Sequence, residues 1–327
     1  MSSIFSGTAA TPSPLGGLAS LLAQQPAPQP GLPPWIAVTQ RFTQFDSNLA
    51  LTPRQQQDGL TKAAGVVGAL DRHYYDAADC GNNGFLVGSW GKGTMMRPPR
   101  DVDVFFVLPA KVYWRFHGHS GNRQSALLQE VKRVLASTYP NTTMRGDGQV
   151  VMVGFGSYSV EVVPAFRTDT GCFLICDTNG GGADKSADPD AEKQQIGDVD
   201  GTCNDNLRPL IRMVKAWQQH CSVPIKSFQL ELVAVDFLRK SPWRRNTFFY
   251  FDWIMRDFFA YLYGRANSLA FVPGTVDSVW LGDNWQSRAL SAYGRAVKAC
   301  DYEYLNKVDQ AGEEWQKIFG SFIPRSV

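Results

Sequence analysis

The chain has 327 residues, 44% of them hydrophobic and 19% charged, enough for one large domain or two lobes with sizeable cores. Its formal net charge is only +2, so composition gives no support to duplex nucleic-acid binding or to a polybasic membrane surface, while small anionic ligands held by a few local cations stay open. No stretch is apolar for long enough to cross a bilayer, and no internal repeat is visible.

Residues 1–34 are rich in Pro, Ala, Gly, Gln and Ser, and no charged residue precedes Arg41. The positive n-region of a secretory signal is therefore missing, and the segment reads as a mobile, disordered tail. Six scattered cysteines (Cys80, Cys172, Cys176, Cys203, Cys221 and Cys300) form no CxxC pair. They read as reduced thiols of a cytoplasmic protein rather than as a zinc set.

"LTPRQQQDGLTKAAGVVGALDRHYYDA" has Thr52 as N-cap, Pro53 at the first helical position and Gln55 at the third. Leu60, Ala63, Val67, Leu70 and Tyr74 then recur at helical spacing, which predicts an amphipathic helix. "GFLVGS" predicts a short buried strand ending at Gly88. "GSWGKGTMMRPPRDVDVFFVLP" follows, and its "DVDVFFV" predicts a second strand closed by Pro109. His117 and His119 have no third metal ligand nearby and read as loop residues. Residues 120–138 predict a helix with Leu127, Leu128, Val131 and Leu135 on one face. "QVVMVGF" and "SYSVEVVPAF" predict two more strands joined by a tight Gly-Ser turn.

Side chains alternate along a strand, so Asp101 and Asp103 share a face, about 6–7 Å apart. On their own they fit a solvated strand edge or a pair of turn caps as well as a metal site. Three neighbours favour chemistry. Gly88-Ser89 sits between a strand and a Gly-rich turn, where backbone N–H groups and a hydroxyl can meet phosphate. Gly93-Thr94 allows a second close approach of backbone. Glu161 interrupts an otherwise apolar strand, sharing a face with Ser159, and a lone charge there needs a partner. If the two strands are adjacent, Asp101, Asp103 and Glu161 form a carboxylate triad able to hold two divalent cations.

In the second half, "NDNLRPLIRMVKAWQQHC" predicts a helix with Leu207, Leu210, Ile211, Val214 and Trp217 buried. Arg208, Arg212 and Lys215 lie on or near another face. "IKSFQLELVAVDFL" predicts a helix apolar nearly all round, with Ser227 as its N-cap and Glu231 inside it. "FFYFDWIMRDFFAYLYG", "DNWQSRALSAYGRAVKACDYEYLN" and "AGEEWQKIFGSFIP" predict further helices packed through aromatic residues.

The order Gly-Ser, Gly-Thr, Asp-x-Asp and a third acid on a later strand resembles the polymerase-β-like nucleotidyltransferases. "VEVVPAF", with Glu161 where Asp is more common, resembles the bacterial CD-NTase branch, as do the Lys215-x-Trp217 helix and the closing "W-x-x-IFG". The resemblance covers about residues 52–325. It implies an α+β fold, with a mixed-sheet N-terminal lobe (35–170, catalytic core), a helical C-terminal lobe (171–327) and the active site in the cleft. It implies Asp101, Asp103 and Glu161 as ligands of two Mg²⁺ (or Mn²⁺), with Glu161 also helping to deprotonate the acceptor hydroxyl. Gly88, Ser89, Lys215 and Ser227 are implied at the nucleotide, Lys215 on the donor triphosphate. Arg212 is left between assisting Lys215 and pairing with a carboxylate.

The same resemblance implies ATP, GTP or other nucleoside triphosphates as substrates and a cyclic di- or trinucleotide as product. It also implies antiphage signalling through a separate messenger-binding effector, with a regulatory protein as a further partner. Ala183 stands where relatives often carry Trp, and "FVPGTVDSVW" only partly matches an Asp-Pro element of the family, so base preference is left open. Two other readings remain from sequence: transfer to another acceptor or a linear oligonucleotide, and a non-catalytic nucleotide-binding scaffold.

Overall fold

The computed structural model describes residues 36–76 and 83–327. The tail at 1–34 and Cys80 lie outside the described residues. The chain opens with helix α1 (Ile36–Leu49), which the reading above did not anticipate. Val38, Phe42, Phe45 and Leu49 recur every three or four residues and are fully buried. They pack not on the sheet but among the C-terminal helices, with Phe42 5.2 Å from Trp315 and Phe45 4.9 Å from Phe319 between ring centroids.

Helix α2 (Pro53–Tyr74) starts as its capping box predicts. Gln55 N donates to Thr52 Oγ1 at 3.2 Å, and Thr52 N donates to Gln55 Oε1 at 2.9 Å. Its inward face differs from the expected stripe. Ala63, Val66, Leu70 and Tyr74 are buried, whereas Leu60 is 40% exposed. Gly59 takes the inward place because Trp90 lies on it. A Cβ at Gly59 would come within 2.5 Å of the indole.

Strand β1 (Gly84–Leu86) ends two residues before Gly88, and the chain turns at once into the five-residue helix α3 (Gly88–Lys92). Strand β2 (Asp101–Val107) is followed by α4 (Ala110–His117), so His117 closes a helix rather than sitting in a loop. Helix α5 (Arg123–Thr138), strand β3 (Thr143–Asp147), strand β4 (Val150–Gly154) and strand β5 (Ser159–Arg167) come next.

β2 and β5 pair in parallel, with β1 antiparallel on β2 and β4 antiparallel between β5 and β3. Strands β6 (Phe173–Asp177) and β7 (Ala183–Ala187) continue the same sheet from the far end of β5. The sheet thus runs beyond residue 170, and α1 belongs with the helices. The two largest hydrophobic cores therefore interleave along the chain rather than meeting at one cut.

The period of two on β2 and β5 sorts their side chains. Val102, Val104, Phe106, Val160 and Val162 face α2 and α5 and form one core. Asp101, Asp103 and Phe105 of β2, with Glu161 and Val163 of β5, share the opposite face; Phe105 and Val163 there belong to a smaller apolar cluster. Helices α6 (Pro189–Thr202), α7 (Leu207–His220), α8 (Ser227–Lys240) and α9 (Phe251–Tyr263) build the second lobe. The hairpin β8 (Leu269–Phe271) and β9 (Ser278–Trp280) leads to α10 (Gln286–Tyr304) and α11 (Val308–Phe319). Trp217, Trp285 and Trp315 are fully buried there. Asp200 of α6 accepts from the N–H groups of Leu207 and Arg208 at 2.9 and 3.1 Å, so it satisfies two donors that the start of α7 leaves free.

Candidate active site

The parallel register sets Asp103 directly opposite Glu161, and Asp101 opposite Ser159. One carboxylate oxygen from each of Asp101, Asp103 and Glu161 lies within 4.8 Å of the others. The triad expected from sequence is therefore assembled by strand pairing. Among the described residues it is the one group of three or more His, Cys, Asp or Glu placed to share a metal ion; His117, His119 and the cysteines form none. The crowding has an electrostatic signature. Burial, then the charges of Asp101 and Glu161, push the Asp103 carboxyl up to about 7. Lys92 and the Ser89 N–H pull the other way. Hard oxygen donors that repel one another at this spacing fit divalent Mg²⁺ or Mn²⁺.

Helix α3 is fitted against Asp103. Gly88 has φ +53°, and a Cβ there would fall 2.0 Å from Asp103 Oδ2. The Val87 N–H donates to the Asp103 carbonyl at 3.0 Å, and Trp90 Nε1 donates to the Asp101 carbonyl at 2.9 Å. The Ser89 N–H donates to the Asp103 carboxylate. Gly93 ends α3 with φ +70°, and a Cβ on it would crowd Arg208 Nε at 3.1 Å. Arg208 Nε itself donates to the Lys92 carbonyl at 2.9 Å.

Lys215 lies on the opposite wall, on α7. Its ammonium donates to Glu231 Oε1 at 2.5 Å and to Thr94 Oγ1 at 3.1 Å. The other Glu231 oxygen pairs with Lys92 Nζ at 2.6 Å, and Lys92 also reaches Glu192 Oε2 at 3.1 Å. Burial alone would raise the Glu231 carboxyl, but Lys215 and Lys92 outweigh it and hold the group at about 2. Lys92, Glu192 and the bridging role of Glu231 were missed in sequence. The signal was there for Glu231, an acid inside a helix apolar nearly all round. Arg212 pairs with Asp46 at 2.7 Å, the second of its two expected roles.

Ser227 is not the cap of α8. Lys226 holds that position and donates its N–H to Gln229 Oε1 at 2.8 Å, while Ser227 Oγ donates to Gln218 at 2.9 Å. The reason is local: Gln229 stands three residues after Lys226, where its side chain can close on the preceding backbone. Ser227 nevertheless lines the same cavity, about 530 Å³, as Gly88, Ser89, Asp101, Asp103 and Lys215. Phe105, Val163 and Ile175 give that cavity an apolar floor.

The fold is that of the polymerase-β-like nucleotidyltransferases, as the comparisons with solved structures show. The profile of the Second Messenger Oligonucleotide or Dinucleotide Synthetase domain matches residues 36–200. The chain belongs to that family, the CD-NTases. A probable cyclic nucleotide synthase of Bacillus cereus strain VD146 is 26% identical over 178 residues, which span 50% of this chain and 51% of that relative. The match thus covers about half the length of the curated relative.

Escherichia coli MS115-1 CdnC, solved in complex with HORMA-deltaN, superposes with a TM-score of 0.68 at 17% identity, covering 88% of this chain and 98% of that one. Vibrio cholerae DncV, a cyclic AMP-GMP synthase solved with the linear intermediate 5′ pppA(3′,5′)pG, gives 0.60 at 12% identity, covering 96% and 92%. At these identities the likeness is one of fold. Among the described residues, no helix is long and apolar enough to cross a membrane.

Proposed function

We propose that this chain joins nucleoside triphosphates, ATP and GTP among them, into a cyclic di- or trinucleotide messenger. One observation carries the reading: three carboxylates on adjacent strands and a buried lysine from the other lobe line or adjoin one cavity of about 530 Å³. That volume lies within the range of small-ligand pockets.

Asp101, Asp103 and Glu161 are the residues to hold two Mg²⁺, with Mn²⁺ as a substitute. Bound there, the cations would neutralise the triphosphate and make the acceptor hydroxyl more acidic. Lys215 binds the polyphosphate of the donor, and Ser89, Gly88 and Ser227 border its path. In this reading Glu161 helps to take the proton of the acceptor ribose hydroxyl. That oxygen bonds to the α-phosphorus, the bond to the bridging oxygen breaks, and pyrophosphate leaves. A second transfer within the linear intermediate closes the ring. A linear intermediate is what such a route requires, and DncV was solved with one, pppA(3′,5′)pG.

The setting we propose is antiphage signalling in the cytoplasm, with the product acting on a separate effector. A regulatory protein fits this setting, since CdnC was solved with HORMA-deltaN. The test is incubation with all four triphosphates and Mg²⁺, then phosphatase treatment and mass spectrometry. A phosphatase-resistant cyclic product, absent with Asp103→Asn, is expected. No pyrophosphate release, or only phosphatase-sensitive linear products, would overturn the reading.

A further inference from the structure

Lys92 and Lys215 approach each other from different lobes, one at the end of α3, the other in the middle of α7. Two ammoniums brought together in a buried site repel unless anions stand between them. Glu231 and Glu192 are those anions, so the four-residue cluster carries no net charge. The two carboxylates are held differently. Glu231 sits on α8 with a side chain only 6% exposed; it bridges both lysines at 2.6 and 2.5 Å and accepts from Thr94 Oγ1 at 3.0 Å. Glu192 sits in the first turn of α6 with a side chain 22% exposed, and its bond to Lys92 is longer, 3.1 Å. Both glutamates line the cavity that holds the triad's aspartates.

Resting on the proposed reaction, we infer that Glu192 is an exchangeable counter-ion whose place on Lys92 an incoming triphosphate takes, while Glu231 stays as the positioning residue for both lysines. Lys92 then becomes a second cation for the polyphosphate beside Lys215. Exchange keeps two anionic partners on the buried Lys92 ammonium at every stage, where simple loss of Glu192 would leave Glu231 alone to balance both lysines. The wetter, longer ion pair is the one that costs less to break. Glu192 thereby competes with substrate in the resting enzyme, and a displaced carboxylate can swing into solvent at the rim. Glu231 has no such route, because Lys92, Lys215 and Thr94 close on it.

The two glutamates should therefore behave oppositely when neutralised. Isothermal titration with the β,γ-imido analogue of ATP in Mg²⁺ reads binding, and initial rates read KM and kcat. Glu192→Gln should tighten the analogue about three- to tenfold and lower KM with kcat little changed. Glu231→Gln should weaken binding by more than about tenfold, with partial recovery in Glu231→Asp. Glu192 is partly exposed, so its variant folds even if a Glu231 variant does not, and it decides the matter alone. Unchanged or weaker binding by Glu192→Gln, with the wild type binding normally, overturns the exchange and leaves the proposed reaction standing. A wild type that binds no triphosphate overturns both.

Discussion

Gly88 and Asp103 are packed so closely that no other residue fits at position 88. Its φ of +53° lies in the left-handed region, and a Cβ would stand 2.0 Å from the Asp103 carboxylate. Gly88→Ala therefore either displaces Asp103 or unwinds the start of α3. Left-handed strain costs on the order of 1–3 kcal/mol, which a protein of this size can absorb. Asp103 stands opposite Glu161 across the paired strands, so a displaced carboxylate would lose its place in the triad. We expect Gly88→Ala to stay folded by circular dichroism and to lose roughly a hundredfold in rate, the scale set by an ångström-sized misplacement. Near wild-type turnover in a folded Gly88→Ala protein would refute this account of the turn.

The triad also predicts a thermal signature that needs no turnover. A ligand that binds only the folded state stabilises it, by about 2.7 kcal/mol at a hundredfold excess over Kd. Mg²⁺ or Mn²⁺ should raise the melting temperature of the wild type, and EDTA should reverse the rise. Asp101→Asn and Asp103→Asn should remove most of the shift. They should also melt no lower than the wild type without metal, since each relieves repulsion among three carboxylates. A cation-induced shift that survives both substitutions would place the ion elsewhere.

Arg41 fastens the two ends of the described chain together. It is fully buried, donating Nε to Glu303 at 2.9 Å and its other nitrogens to the carbonyls of Pro324, Arg325 and Val308 at 2.5, 2.6 and 2.8 Å. Arg41→Ala would leave the Glu303 carboxylate buried without its cation. Loss of one partner of such a pair costs about 3–5 kcal/mol. We expect a fall in denaturation midpoint of that size, with faster amide exchange over residues 308–325. Lysine should rescue only part, since one ammonium cannot span the acceptors that the guanidinium reaches. A variant as stable as the wild type would mean that the packing of Phe42 and Phe45 alone holds the terminus.

The triad was legible because strand alternation fixes which residues share a face, whatever the fold. That put Asp101 with Asp103 and singled out Glu161 in an apolar run. The pairing of β2 with β5 was not legible, since it joins segments more than fifty residues apart and rests on the whole sheet. Leu60 was misplaced for a related reason. Helical spacing admits two neighbouring stripes, and Trp90, arriving from another segment, selects the one through Gly59. The docking of α1 among helices 150 or more residues later is of the same kind, although its Phe42 and Phe45 stripe was readable. Lys92 looked like any lysine in a Gly-rich turn. Its burial depends on Glu231 and Glu192, which come from two other helices. Ser227 was a different kind of miss, since Gln229 three residues after Lys226 was already in view.

Asp252 gives the fold a pH dependence separate from the catalytic cleft. It lies in the first turn of α9, 1% exposed, and its Oδ1 accepts from the Trp253 N–H at 2.8 Å. Burial pushes its carboxyl up to about 8, with the nearby Glu303 adding to the effect. In the unfolded chain the same group titrates near 3.9. Between about pH 4 and pH 8 the folded state therefore holds a proton that the unfolded state has released. Stability must fall as pH rises through that window, by at most ~1.4 kcal/mol per pH unit from this group, and level off above it. Asp252→Asn keeps the shape and an acceptor oxygen while removing the charge. Melting curves from pH 5 to pH 8 should fall more steeply for the wild type than for the variant, which should be the more stable at pH 8. Parallel curves for the two proteins would show that Asp252 ionises in the fold as it does in water.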